Sequence, residues 1–400
     1  MNRINRLHTA TSATGRRRSW VLPGLAVVIA LSMYTPTVWA FETNYQEQRV
    51  EQRTFSARQG AAVSVENLAG EVTVVGTSGA DIEIVATIHA ESGDLADAQT
   101  LLSALVIEFG EDQDGVDVEV IFPVDRFDKY RYPQSGRGST NTRTTYRGER
   151  VRVTSRDDGD AVTLWVDVEI RVPAGIDVDI ENGVGNVSAT GIQGDLSVDT
   201  GSGDVTARDG RGEVSADTGS GDVTITGHTG EISADTGSGD IEIADVTGDV
   251  SADTGSGDVS LADVEAGRVA VGTGSGNIDM ERVSGSISAD TGSGDITGRS
   301  LSGARTIGAD TGSGDVRLEG DMSRIEQIEI DTASGDVELT MTSVPGMRIT
   351  IETGSGSINV TLPGLTTISS RRSYFRGEVG DGGAQVNIDT GSGSVRISSR

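Results

Sequence analysis

Asp199-Thr200-Gly201-Ser202-Gly203-Asp204 is the stretch on which the chain turns. Asp-Thr-Gly-Ser-Gly recurs intact from Asp199, Asp217, Asp235, Asp253, Asp290, Asp310 and Asp389, with degenerate copies from Glu181, Gly272, Asp331 and Glu352. The starts at 181, 199, 217, 235 and 253 are 18 residues apart. Self-similarity at a short fixed period marks a repeat architecture. In the unit Glu213–Gly230, Val214, Ala216 and Thr218 alternate with polar residues, Gly219-Ser220-Gly221 turns the chain, Val223 and Ile225 alternate again, and Gly227-His228-Thr229-Gly230 turns it back. Each unit is therefore two short strands and two tight turns. One unit buries little, but units stacked in register bury their apolar residues against copies of themselves. The expected fold is all-β, a two-sided parallel β-solenoid with coils of about 18 residues. At about 4.8 Å per coil, the rod is on the order of 50 Å long. The turn glycines are expected to supply positive φ. An antiparallel meander is the alternative, but it would show half this period.

The Thr-Gly-Ser-Gly turn keeps its length in every copy. Expansions fall on the opposite turn, at 299–305, 319–327, 341–346 and 363–385. One edge of the rod is thus constant and the other bears loops, the usual place for recognition. The largest expansion holds Arg371, Arg372, Tyr374, Phe375 and Arg376. Aromatics among arginines on an acidic body form the candidate partner-binding set, with a loop folded over the terminal coil as the other reading. The last strand, Ser394–Ser398, has no obvious cap after it, and an open edge invites pairing with another chain.

Aromatic residues make up only 4% of the chain, while 55 of its 400 residues are glycine, so the core must be thin and strand-stacked. Residues 1–40 read as a signal peptide: Arg16-Arg17-Arg18, an apolar run from Trp20 to Met33, and Ala40 at the cleavage position. An uncleaved signal anchor is the rival reading, and the only route to a membrane. Without that segment's five arginines, 27 basic residues face 61 acidic ones, a net charge of −34. Such a charge repels nucleic acid and favours cationic partners. There is no cysteine, which removes disulfides, a lipoprotein anchor and thiolate metal sites. The expected location is the periplasm or cell surface.

Residues 41–180 read as a β-rich capping region, and 181–400 as the repeat solenoid. Val63–Gly76 is a faint version of the repeat unit. Leu95, Ala98, Leu101, Leu102 and Leu105 fall at helical spacing, predicting a helix over 94–105 that plugs the stack. Val106–Phe109 and Val116–Phe122 read as a hairpin. Residues 125–150, rich in arginine and carrying Tyr130, Tyr132 and Tyr146, read as a long basic loop that is either a solvated linker or folded onto the acidic body.

Asp-Thr-Gly-Ser is also the signature of pepsin-like proteases, which oppose two such loops so that two carboxylates share a proton. Regular copies along one edge do not build that geometry. Asp217, Asp235 and Asp253 should form one column, and Asp222, Asp240 and Asp258 another. Their spacing fits neither calcium loops nor calcium rolls. Hydrogen bonding to turn amides is the simpler use, and no cofactor is implied beyond loose screening by divalent cations. The threonine column should face inward or sit at the corner, unlike that of an ice-binding surface. Only His89 and His228 lie outside the signal segment, too few for a histidine metal cluster. No esterase, zincin or phosphate-loop motif is present.

Val168-Glu-Ile-Arg-Val-Pro-Ala-Gly-Ile-Asp-Val-Asp-Ile-Glu-Asn-Gly-Val-Gly-Asn-Val187, the Asp-Thr-Gly-Ser-Gly units and Val63–Gly76 together resemble the bacterial envelope family of toastrack domains, grouped with adhesins of unknown function. The resemblance covers most of residues 41–400. It implies an exported β-solenoid without catalytic residues, tied to envelope stress or surface attachment. The expectation is thus a non-enzymatic envelope scaffold contacting a glycan or another surface component through its loop-bearing edge. The alternatives are a sensor of cationic peptides and a carbohydrate-active β-helix enzyme. The oligomeric state is not legible.

Overall fold

The computed structural model describes residues 44–133, 141–156 and 159–400. The signal segment and Arg137 lie outside them. From Asp177 onward the chain climbs as a two-faced coil. One face stacks Asp177–Val184, Leu196–Thr200, Val214–Thr218, Ile232–Thr236 and Val250–Thr254, all parallel. The other stacks Val187–Thr190, Val205–Arg208, Val223–Thr226 and Ile241–Thr247. The register joins residue i to i+18, so Val214 lies over Leu196 and under Ile232. The strands Val259–Thr273 and Ile278–Thr291 run through the corner and link the two faces. This is the expected β-solenoid.

The inward columns are apolar. Val214, Ile232, Ile225 and Ile243 are fully buried, each side chain contributing about 1.5–3 kcal/mol. The stack extends downward from Asp177. Ala62–Ala69 and Val72–Thr77 form a partial coil beneath Asp177–Val184 and Val187–Thr190. Gly115–Ile121 adds below Ala62–Ala69, and Val106–Glu111 closes that face antiparallel. On the other face Val162–Pro173 adds parallel to Val72–Thr77. Asp81–Ser92 and then Tyr45–Ser56 follow antiparallel. The helix Leu95–Ala104 crosses between faces at this end. Asp94 caps it, accepting from the Ala96 and Asp97 amides. Ala98, Leu101 and Leu102 are buried, and Arg49 donates to the carbonyls of Leu102 and Leu105.

Three expectations need correction. First, residues 125–150 are not a loop among the described residues. Lys129–Arg131, Asn141–Tyr146 and Glu149–Thr154 form a small sheet. Tyr130, Tyr132 and Tyr146 are buried, with Tyr130 and Tyr146 set edge-on to Phe122. The buried aromatic rings supply the apolar surface, and the Tyr146 hydroxyl donates to the Val120 carbonyl, so the segment packs although it lacks aliphatic periodicity. Second, Val395–Ser399 is not an open edge. The final coil, Ala384–Thr390 and Val395–Ser399, inserts between earlier coils. It lies under Met347–Thr353 and Ile358–Thr361, and over Gln327–Thr332 and Val337–Ser343. Spatial order therefore departs from chain order, because every coil presents the same register pattern and the 363–383 excursion lets the chain return.

Third, the glycines of the Thr-Gly-Ser-Gly turn do not adopt positive φ. They are required by proximity. A Cβ on Gly221 would sit 1.8 Å from the Gly203 carbonyl oxygen, and one on Gly239 1.8 Å from that of Gly221. Left-handed residues occur on the opposite edge, where Asp209, Asp245 and Asp263 have φ of 55–56°. Aspartate tolerates that conformation better than most residues. Gly239→Ala should therefore cost at least ~2 kcal/mol in urea unfolding, whereas exposed Ser238→Ala stays within about 0.5 kcal/mol. Equal effects would refute the close-approach argument.

Candidate functional site

The two acidic columns lie on one edge region but obey different physics. The column after the turn is wired to the backbone. The amide of Asp222 donates to Asp204 Oδ1 at 3.1 Å, that of Asp240 to Asp222 Oδ1 at 2.9 Å, and that of Asp258 to Asp240 Oδ1 at 2.8 Å. Asn277, Asp295, Asp315 and Asp336 continue this ladder, and Ser394 joins it from the inserted final coil. Each carboxylate thus satisfies the amide of the coil above rather than one in its own turn.

Before the turn, the acids form a ladder of like charges. In strand register it runs Glu119, Glu66, Glu181, Asp199, Asp217, Asp235 and Asp253. Beyond Gly272 it continues through Asp290, Asp310, Asp331, Asp389 and Glu352. Burial, and then the neighbouring Asp217 and Asp253, push Asp235 above its ordinary pKa. Burial and a neighbouring rung likewise raise Asp217, Asp310 and Asp331. The rungs Glu66 and Glu119 were not read from sequence, although Val63-Ser-Val-Glu-Asn67 matches Val178-Asp-Ile-Glu-Asn182 in pattern. Arg147 closes that end, 3.0 Å from Glu119.

The threonines between the columns face inward and are buried. Thr254 Oγ1 donates to the Gly239 carbonyl at 2.8 Å and accepts from the Gly257 amide at 3.1 Å. Asn182 fills the same column position lower down, donating to the Gly70 and Gly185 carbonyls. The hydroxyls are structural cross-ties, unavailable to a surface ligand.

The candidate partner-binding residues are placed differently from the loop edge expected of them. Leu365–Arg371 and Tyr374–Val379 form a hairpin that crosses the aspartate face on top of Met347–Thr353. Its tip lies at the Thr-Gly-Ser-Gly edge, with the Thr353 amide donating to the Ser373 carbonyl at 3.1 Å. Tyr374 pairs with Glu352, and Arg371 with Tyr374, so the acidic ladder ends in arginine here too. Phe375 is buried with Val379, while Arg371, Arg372 and Arg376 are exposed. The excursion covers the stack end because Phe375 and Val379 continue the inward column of Ile351 and Met347.

The edge opposite the Thr-Gly-Ser-Gly turns carries an open depression of about 580 Å³. Asp263, Glu265, Arg282, Ser284, Ser302 and Arg324 contribute to its lining. Arg282 grips Asp263 through two bonds of 2.5 and 2.7 Å, which raises the arginine and lowers the aspartate pKa. Arg324 comes from the 319–327 expansion. Sequence reading named this edge but not these residues, since the depression forms across four successive coils. Among the described residues, no group of His, Asp and Glu is arranged to hold a metal ion, and no helix is long and apolar enough to cross a membrane.

The family model Toastrack DUF4097 matches residues 112–259 and 208–398, well over half of the chain. Two solved structures are similar at 11% identity. One is a "putative cell adhesion protein" of Clostridium sporogenes, covering 88% of this chain and 100% of its own, with a TM-score of 0.16. The other is a "putative adhesin" of Bacteroides fragilis, covering 87% and 96%, with a TM-score of 0.27. No curated protein matches the chain.

The two acidic columns predict opposite mutational signs. A carboxylate with a raised folded pKa binds its proton more tightly folded than unfolded, so its charge costs stability above that pKa and the cost lifts as pH falls through it. Asp235→Asn should therefore stabilise the rod at neutral pH by a few tenths of a kcal/mol after solvent screening. The gain should vanish below about pH 4, where the unfolded-state carboxylate is also protonated. Asp240→Ala strands the Asp258 amide and should destabilise by about 0.5–1.5 kcal/mol. Thermal unfolding of both variants across pH checks this, and a destabilised Asp235→Asn at neutral pH would refute it.

Proposed function

The chain belongs to the toastrack family, and on that footing we propose that it is a non-enzymatic binding scaffold exported to the cell envelope, which holds its partner at the edge opposite the Thr-Gly-Ser-Gly turns. The observation that carries this reading is the depression bounded by Asp263, Glu265, Arg282, Ser302 and Arg324. It lies where the coils vary in length, while the other edge is locked by stacked glycines and amide-bound carboxylates. Its wall mixes paired charges with serine hydroxyls. Such a surface suits hydroxyl-rich partners such as wall glycans, which are held by many modest hydrogen bonds. Supporting a non-catalytic role, the regular carboxylates are used to hold backbone or are strung along a face, not paired across a cleft.

A second reading rests on the other face. The ladder from Asp199 to Asp253 is a row of like charges about 4.8 Å apart, and a cationic peptide or polyamine would relieve its repulsion. The two readings separate by mutation. Retention on whole cells or purified wall glycans should fall ~tenfold in an Arg282→Ala/Arg324→Ala variant and persist in Asp217→Asn/Asp235→Asn. The reverse pattern, with salt-sensitive capture of a cationic peptide, would move the function to the aspartate face. Retention unchanged in both variants would overturn the choice of edge and face alike.

A further inference from the structure

Among the described residues, four strands at the ends of the rod pair on one side only. At the helix end these are Tyr45–Ser56 and Val106–Glu111. The first carries Glu47, Arg49, Glu51 and Arg53, and the second Glu108 and Glu111 beside an exposed Val106. Charged side chains of this kind are how proteins guard an exposed strand edge. The far end differs. Ile358–Thr361 pairs only with Val395–Ser399, and Leu365–Arg371 only with Tyr374–Val379. Residues 353–370 contain no charged side chain, in a chain that is 23% charged. Ile358 and Val360 are only partly covered, although Val395 and Ile397 beside them are buried. A bulge between Thr367 and Ser369 turns Ile368 outward, where it is 54% exposed.

We infer that this end is a self-association surface on which two copies meet end to end. The occupant is a second copy for two reasons. With a net charge of −29, the acidic flanks of two rods repel, whereas this end, uncharged over residues 353–370 and with Arg371 and Arg372 at its hairpin tip, offers an approach free of acidic repulsion. The end is also stepped. The aspartate face carries two strands beyond Met347–Thr353, while the other face stops at Ile358–Thr361. A twofold axis parallel to the strands sets the tall side of one copy over the low side of the other. Leu365–Arg371 of each copy then pairs antiparallel with Ile358–Thr361 of its mate, filling both ledges. Such an isologous contact closes at two copies.

Sedimentation equilibrium of the full chain over roughly a 1,000-fold range of concentration tests this. The expected result is a twofold rise in mass that then stops. Ile368→Lys and Thr361→Lys, both at exposed positions on these edges, should each weaken association at least ~tenfold with circular dichroism and unfolding unchanged. Gln48→Lys at the helix end should leave it intact. A monomer at every concentration, growth beyond two copies, or a dimer indifferent to both edge substitutions would overturn the proposal.

Discussion

Everything in this rod depends on how closely one turn backbone can lie on the next. At the Thr-Gly-Ser-Gly edge, a carbonyl of each coil occupies the space where the coil above would place a Cβ. Only glycine permits that approach, and the approach brings the next amide within reach of the carboxylate below. The threonine hydroxyl then ties the same turn from inside. Three residue types thus serve one spacing: glycine permits it, aspartate satisfies the amide that it exposes, and threonine bridges it. Burial of valine and isoleucine supplies much of the driving force, but it does not by itself choose an 18-residue register.

Repetition brings a cost of its own. Stacking like over like also stacks charge over charge along the ladder before the turn. Burial and neighbours raise Asp217, Asp235, Asp310 and Asp331 together. The chain interrupts the ladder at Gly272 and places Arg147 and Arg371 towards its two ends. What remains is a flat acidic face beside a backbone-locked edge, so chemical variety is left to the opposite edge and to the two rod ends.

Those ends are where repetition gives out. A solenoid must stop its inward column somewhere, and terminal caps are the usual solution. Here antiparallel strands and the helix Leu95–Ala104 close one end. At the other, the chain builds a coil, adds a hairpin over it, and returns to slip its final coil beneath. The last strand, Val395–Ser399, is thereby paired on both sides.

Whereas the threonines, inward or at the corner by sequence, were placed inward by the structure, the repeated unit, the in-register parallel stacking and the filing of aspartates along one side all follow from the sequence alone. Each is a consequence of period, and period is written in the positions of Asp199, Asp217, Asp235 and Asp253. The helix at Leu95–Ala104 and the expanded edge were legible for the same reason, as departures from period. Only the tertiary structure decided what period cannot express. Tyr130 and Tyr146 are buried edge-on against Phe122, a contact that no period in the sequence announces. Arg371 reaches the Thr-Gly-Ser-Gly edge because an insertion can cross a face and come back. The final coil lies between older ones because coils of identical register are interchangeable neighbours. When every unit can pair with every other, the local pattern specifies how units meet, and chain connectivity with packing at the ends decides which of them do.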